Sequence, residues 1–79
     1  MHEVSIAHTL LQQVSELATR HHMAAVERVG VAVGRYSGVV PDALAFAFEI
    51  LRDGALRTAS LDIQATEGDD LRLEWIEGE

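Results

Sequence analysis

The first three residues, Met1-His2-Glu3, combine donor atoms that could chelate a divalent metal ion. A free α-amine on Met1, the backbone nitrogen of His2 and the near nitrogen of its imidazole would close two fused rings around one ion. Because the peptide unit is planar, these nitrogens lie close to one plane. Planar nitrogen donors suit Ni(II) or Cu(II) and fit poorly with the tetrahedron that Zn(II) prefers. The residues therefore predict a square-planar site, and the donor set alone favours copper.

Two questions about this site stay open at the level of the residues. The fourth ligand could be either the amide nitrogen or the carboxylate of Glu3, which are the nearest remaining donors. A histidine beside a chain terminus is also compatible with a plain solvated end that binds nothing. A deprotonated His2 amide would supply negative charge, which offsets the repulsion between a cation and a helix N-terminus.

Other polar side chains give weaker patterns. His21 and His22 are adjacent, so on a helix their side chains point about 100° apart and do not easily share one ion. His8 is expected on the polar face of the first helix. Ser37 has no evident base partner in the sequence, which argues against a nucleophile. The chain has no cysteine, and this excludes disulfides, thiolate chemistry and cysteine-based zinc sites.

Composition places the chain among small globular domains. Its 79 residues are enough for one domain, and 48% of them are hydrophobic. The net charge is −7 and lysine is absent, which argues against binding to a phosphate backbone. No apolar run approaches a membrane span, and no basic segment precedes an apolar stretch near the start. We therefore expect a cytoplasmic protein of one domain, spanning residues 1–79.

Hydrophobic periodicity predicts two helices. Apolar residues recur at intervals of three and four between Ile6 and Ala18, with Ser5 as the expected N-cap. Leu44, Phe48 and Leu51 share one face of a second helix that begins at Pro41 and ends before Gly54. Phe46 and Phe48 are both expected in the core or lining a groove.

Strand patterns occupy three other segments. The run from Val26 to Val33 alternates β-branched with small residues and predicts a well-buried strand. Two more alternating segments are separated by residues 67–70, a pattern typical of a hairpin. The expected inward set of this hairpin is Leu61, Ile63, Leu71, Leu73 and Trp75. The element order α-β-α-β-β predicts an α+β fold, with two helices on one face of a small three-stranded mixed sheet.

Three stretches together resemble the HypA/HybF family of nickel metallochaperones. The start MHEVS matches the Met-His-Glu opening of that family. The family loop Gly-x-x-Ser-Gly-Val and the following Phe-x-Phe-Glu are matched by Gly34, Ser37, Gly38 and Val39 and by Phe46 to Glu49. The end GDDLRLEWIEGE is similar to the family's final turn and strand. Members usually insert a zinc ribbon of two Cys-x-x-Cys pairs before the last strand, and this chain has none.

The resemblance implies a non-enzymatic module that holds Ni(II) at Met1, His2 and Glu3 for the maturation of [NiFe]-hydrogenase. It implies as partners a HypB-type GTPase and the precursor of the hydrogenase large subunit. Because no cysteine is present, no structural zinc is expected. The alternative is an interaction or scaffold module that keeps the same fold and has lost metal delivery.

Overall fold

The computed structural model describes residues 2–79 and places two α-helices, a short 3₁₀ turn and three strands along them. The elements are α1 (His2–Arg20), β1 (Val26–Gly34), α2 (Pro41–Leu51), η1 (Gly54–Leu56), β2 (Ser60–Thr66) and β3 (Leu71–Gly78). The predicted order α-β-α-β-β and the α+β class are confirmed. Over residues 2–79, no helix has both the length and the apolar character needed to cross a bilayer.

Strand β1 lies in the centre of the sheet, between β2 and β3. It runs parallel to β2, with Val31 beside Ile63, and antiparallel to β3, with Val31 beside Leu73. The predicted hairpin between the last two strands is therefore wrong, because both strands pair with β1. The physical reason is burial: every residue of β1 from Val29 to Gly34 is buried, whereas β2 and β3 carry exposed charged residues that suit sheet edges.

A four-residue connection, residues 67–70, crosses the end of β1 to link β2 and β3, and we call it the strap. Adjacent strands lie about 4.8 Å apart, so the strap bridges about 10 Å, within reach of four residues. Three successive backbone amides at the end of β1 donate hydrogen bonds to the strap or to the residue before it. Gly34 N–H donates to the Asp70 carbonyl at 2.8 Å, Arg35 N–H to the Thr66 carbonyl at 2.8 Å, and Tyr36 N–H to the Gly68 carbonyl at 3.0 Å.

Trp75 lies on the outer face of the sheet, not on the predicted inward face. The register between β1 and β3 shifts between Gly30 and Val31, so one extra β3 residue is inserted there. Such a bulge reverses which side chains point inward, and Ile76 packs against the core. The indole covers Gly30, and the Arg28 guanidinium lies 5.3 Å from the ring centroid. The missing side chain of Gly30 thus leaves room for the Trp75 indole.

The core lies between the inner face of the sheet and the two helices. Every third or fourth residue of α1 is buried, as the periodicity predicted, and α2 buries one face. The largest fully buried side chains are Phe48, Leu44, Val14, Val26, Val29 and Val31. Helix α1 ends with His22 in the left-handed region, and the Met23 amide donates to the Ala18 carbonyl at 2.9 Å. These features define a Schellman cap.

Gly34→Ala should destabilise the protein by about 1–3 kcal/mol, the usual cost of overpacking a tight site. A Cβ at Gly34 would lie 2.6 Å from the Gly68 carbonyl carbon and 2.9 Å from the Asp70 amide nitrogen. Chemical denaturation followed by circular dichroism measures the effect. Gly68→Ala, in the strap itself, is the matched control, since its Cβ would come no closer than 3.4 Å to another atom. Equal stability of the two variants would contradict the close approach of the strap.

Candidate metal centre

Helix α1 begins at His2, so His2 and Glu3 lie in its first turn. The predicted N-cap at Ser5 is wrong, because Ser5 already lies inside the helix. The first four N–H groups of an α-helix have no acceptor within the helix. The amide nitrogen of His2 is therefore free of the ladder of hydrogen bonds that ties up later residues. The predicted Met1 donor lies outside the described residues.

The Glu3 side chain is buried, and its carboxylate connects the beginnings of the two helices. Oε2 of Glu3 accepts a hydrogen bond from the Val40 amide at 3.1 Å. Val40 occupies the N-cap position of α2 and supplies no side-chain cap of its own. The carboxylate of Glu3 thus satisfies an amide at the start of α2, a place where negative charge is favoured.

Hydrogen bonding holds the pKa of Glu3 below its ordinary value. The Val40 amide makes the largest contribution, and the backbone amide of Glu3 itself makes the next. Burial acts in the opposite direction, and the neighbouring His2 lowers the pKa further. The carboxylate is consequently ionised at neutral pH and provides a fixed negative charge beside the predicted chelate.

The His2 side chain is 62% exposed and lies at the edge of this carboxylate. Its Nδ1 atom, the imidazole nitrogen that the predicted chelate uses, lies 3.8 Å from Oε2 of Glu3. The ring is therefore accessible to an ion from solvent and close to a negative charge. The structure thus places the His2 imidazole beside the Glu3 carboxylate.

The loop between β1 and α2 fixes the position of Val40 and hence of Glu3. Gly38 has a φ of +80°, a conformation that favours glycine, and the Ser37 hydroxyl accepts a hydrogen bond from the Val39 amide at 3.2 Å. Sequence reasoning singled out this loop as a motif but missed its role. The loop positions the Val40 amide that donates to Glu3, so the N-terminal motif and the loop motif are joined by one hydrogen bond.

The remaining histidines do not form a site. His8, His21 and His22 are exposed. Within residues 2–79, no group of three or more His, Cys, Asp or Glu side chains is placed to hold an ion.

Helix α2 also carries an exposed apolar surface: of the two phenylalanines predicted to lie in the core or line a groove, Phe48 lies in the core and Phe46 lines a hollow. Phe48 is fully buried, but Phe46 is 66% exposed, so only one of the two phenylalanines belongs to the core. Helical periodicity contained the signal, because Phe46 and Ile50 are one turn apart and off the Leu44–Phe48 face. The surface borders the site, since Glu3 and Val4 line the same hollow as Phe46 and Ile50.

Comparison with known proteins assigns the chain to a family. Residues 1–77 match the family model described as hydrogenase/urease nickel incorporation, metallochaperone, HypA. The chain therefore belongs to the HypA family.

Individual relatives support this assignment. The hydrogenase maturation factor HypA of Albidiferax ferrireducens is 38% identical over 69 residues, covering 86% of this chain and 61% of that protein. The HypA of Roseiflexus sp. is 43% identical over 65 residues, covering 81% of this chain and 53% of that protein. The chain thus spans between half and two thirds of the length of these relatives.

Two solved structures share the fold. The solution structure of the Ni metallochaperone HypA from Helicobacter pylori superposes with a TM-score of 0.87 at 21% identity, covering 96% of each chain. A second solution structure of a HypA protein gives a TM-score of 0.84 at 23% identity, covering 100% of this chain and 97% of the other. At these identities the likeness concerns the fold alone.

Glu3→Gln should lower the stability of the metal-free protein at neutral pH, and the difference should vanish in acid. The native state holds the pKa of Glu3 below its unfolded value. The resulting stabilisation is fully present above the unfolded pKa and is lost as the pH falls through the folded pKa. Denaturant unfolding in the presence of a chelator, from pH 7 to pH 3, measures both stabilities.

Glu16→Gln is the matched control, since Glu16 is exposed on the same helix. A stability gap between wild type and Glu3→Gln that stays constant down to pH 3 would show that the carboxylate charge is not what Val40 stabilises.

Proposed function

We propose that this protein is a nickel metallochaperone that carries Ni(II) as cargo at Met1, His2 and Glu3 and delivers it during the maturation of [NiFe]-hydrogenase. One observation carries the proposal: an exposed His2 begins helix α1, beside the buried and ionised carboxylate of Glu3. Membership of the HypA family supports nickel as the metal. The donor set by itself favours copper, so the choice of nickel depends on the family.

The chain's own groups have distinct parts in this proposal. The Met1 amine, the His2 amide nitrogen and the His2 Nδ1 supply three donors in one plane. The Glu3 amide nitrogen or carboxylate supplies the fourth. Oε2 of Glu3 accepts a hydrogen bond from the Val40 amide, so the carboxylate is held in place as a counter-charge in either case.

The proposed role is binding and transfer, without catalysis. The proposed partners are a HypB-type GTPase and the precursor of the hydrogenase large subunit. The precursor would receive the ion in the cytoplasm. The family description also includes urease as a nickel enzyme that is served. The alternative remains a scaffold module of the same fold that has lost metal delivery, and nickel binding separates the two.

Titration with Ni(II) should show near-stoichiometric binding to the untagged protein, with the d–d absorption band of a square-planar complex. His2→Ala, or one residue added before Met1, should abolish the band, because each removes a donor of the fused chelate. His8→Ala is the matched control, an exposed histidine on the same helix, and should bind like wild type. Nickel affinity should weaken on acidification, since protons compete for the amine, amide and imidazole. Unchanged binding by the first two variants would overturn the terminal site.

Folding should not require zinc. The strap closes the end of the sheet with backbone hydrogen bonds, and the chain offers no cysteine ligand. Thermal melts with and without a strong chelator should therefore give the same melting temperature. A large fall in melting temperature on chelation would reveal a structural metal.

A further inference from the structure

Four apolar side chains at the start of α1 and along α2 form an exposed surface that we call the Phe46 patch: Val4, Ala43, Phe46 and Ile50. Phe46 is 66% exposed, Ile50 64% and Val4 43%. They surround a hollow of about 270 Å³ that Glu3 also lines. Soluble domains rarely expose large apolar side chains side by side unless the surface binds something.

The fold itself does not use this surface. The buried face of α2 is formed by Leu44, Ala47 and Phe48, which pack on the core. Phe46 and Ile50 are four residues apart, so they stand together on the opposite side of the helix. An aromatic ring that leaves water on binding contributes more than most residues to an interface. The patch therefore has the composition of a binding surface.

The charges around the patch indicate what kind of partner it fits. Asp42 and Glu49 flank Phe46 one turn before and after it, and both are exposed. Among residues 2–79, no cation lies within 4.0 Å of either carboxylate, although Asp42 also suits the first turn of α2. By contrast, Arg28, Arg35 and Arg72 all pair with carboxylates on the sheet and strap. The carboxylates at the patch are left for cations from outside.

The same charges argue against a second copy of this chain as the occupant. A symmetric contact would bring Asp42 and Glu49 of one copy towards those of the other, and like charges at an interface are costly. The net charge of −7 on each copy adds to that repulsion.

We propose that the Phe46 patch docks a segment of a partner protein that presents apolar side chains between lysines or arginines. The patch shares Glu3 with the candidate metal centre, so the docked segment lies beside the bound ion. This inference rests on the proposed function, in that the partner is a protein of the nickel delivery pathway. The proposed HypB-type GTPase is the probe for it.

Isothermal titration of the HypB-type GTPase from the same genome into the full chain tests the proposal. The double variant Phe46→Ala/Ile50→Ala should bind at least about tenfold more weakly, as expected for the loss of central apolar anchors. Tyr36→Ala is the matched control, because Tyr36 is 67% exposed but lies outside the patch, and it should bind like wild type. Asp42→Asn/Glu49→Gln should bind more weakly than wild type and should reduce the dependence of affinity on salt.

Two further measurements keep the outcomes distinct. The Phe46→Ala/Ile50→Ala variant should retain its circular dichroism spectrum and its nickel stoichiometry, which separates a failure of docking from a failure of the metal site. Equal affinity of this variant and wild type for the GTPase would overturn the proposal, as would no binding of the GTPase to wild type. A wild-type dimer in sedimentation that this variant dissociates would assign the patch to a second copy and would also overturn it.

Discussion

An apolar central strand must be covered along both edges, and the rest of this architecture follows from that requirement. If β2 and β3 paired with each other, β1 would lie at the edge of the sheet with its valines beside water. Pairing both with β1 removes that cost and leaves the charged positions of β2 and β3 outermost. The chain then has to pass over the end of β1, which the strap does. Gly34 is where this path comes closest to the strand.

The same strand determines where the candidate metal centre lies. Strand β1 ends at the strap, and the loop that follows carries the chain to Val40 at the start of α2. There the Val40 amide meets the carboxylate of Glu3. One hydrogen bond thus links the N-terminal motif to the loop before α2, although more than thirty residues separate them. The charge of Glu3 is thereby held next to His2, where an arriving cation would be stabilised.

One end of the molecule combines properties that a carrier of metal ions needs. The His2 ring is accessible to solvent, the neighbouring carboxylate is held by a hydrogen bond, and an apolar surface flanked by the exposed carboxylates of Asp42 and Glu49 lies alongside. In the proposed function a carrier exposes its cargo to a recipient, and the proposed docking surface beside the ion would allow transfer without release into solvent. The outer face of the sheet, away from the helices, is held by ion pairs: Arg28 pairs with Asp62 and Glu77, and its guanidinium lies over the Trp75 ring.

The sequence alone determined the helices, the strands and their order, since these depend on local periodicity. It predicts a chelate at Met1-His2-Glu3, since these donor atoms are adjacent in the chain. It also determined family membership through motifs that are short and local. Tertiary structure alone decided that β2 and β3 flank β1, because pairing depends on which strand has two apolar faces to bury. It alone placed Trp75 on the outer face, because one inserted residue at a bulge reverses the pattern that alternation predicts. And only the packed structure joined Glu3 to Val40 and left Phe46 in solvent, since both outcomes depend on how two distant helices meet.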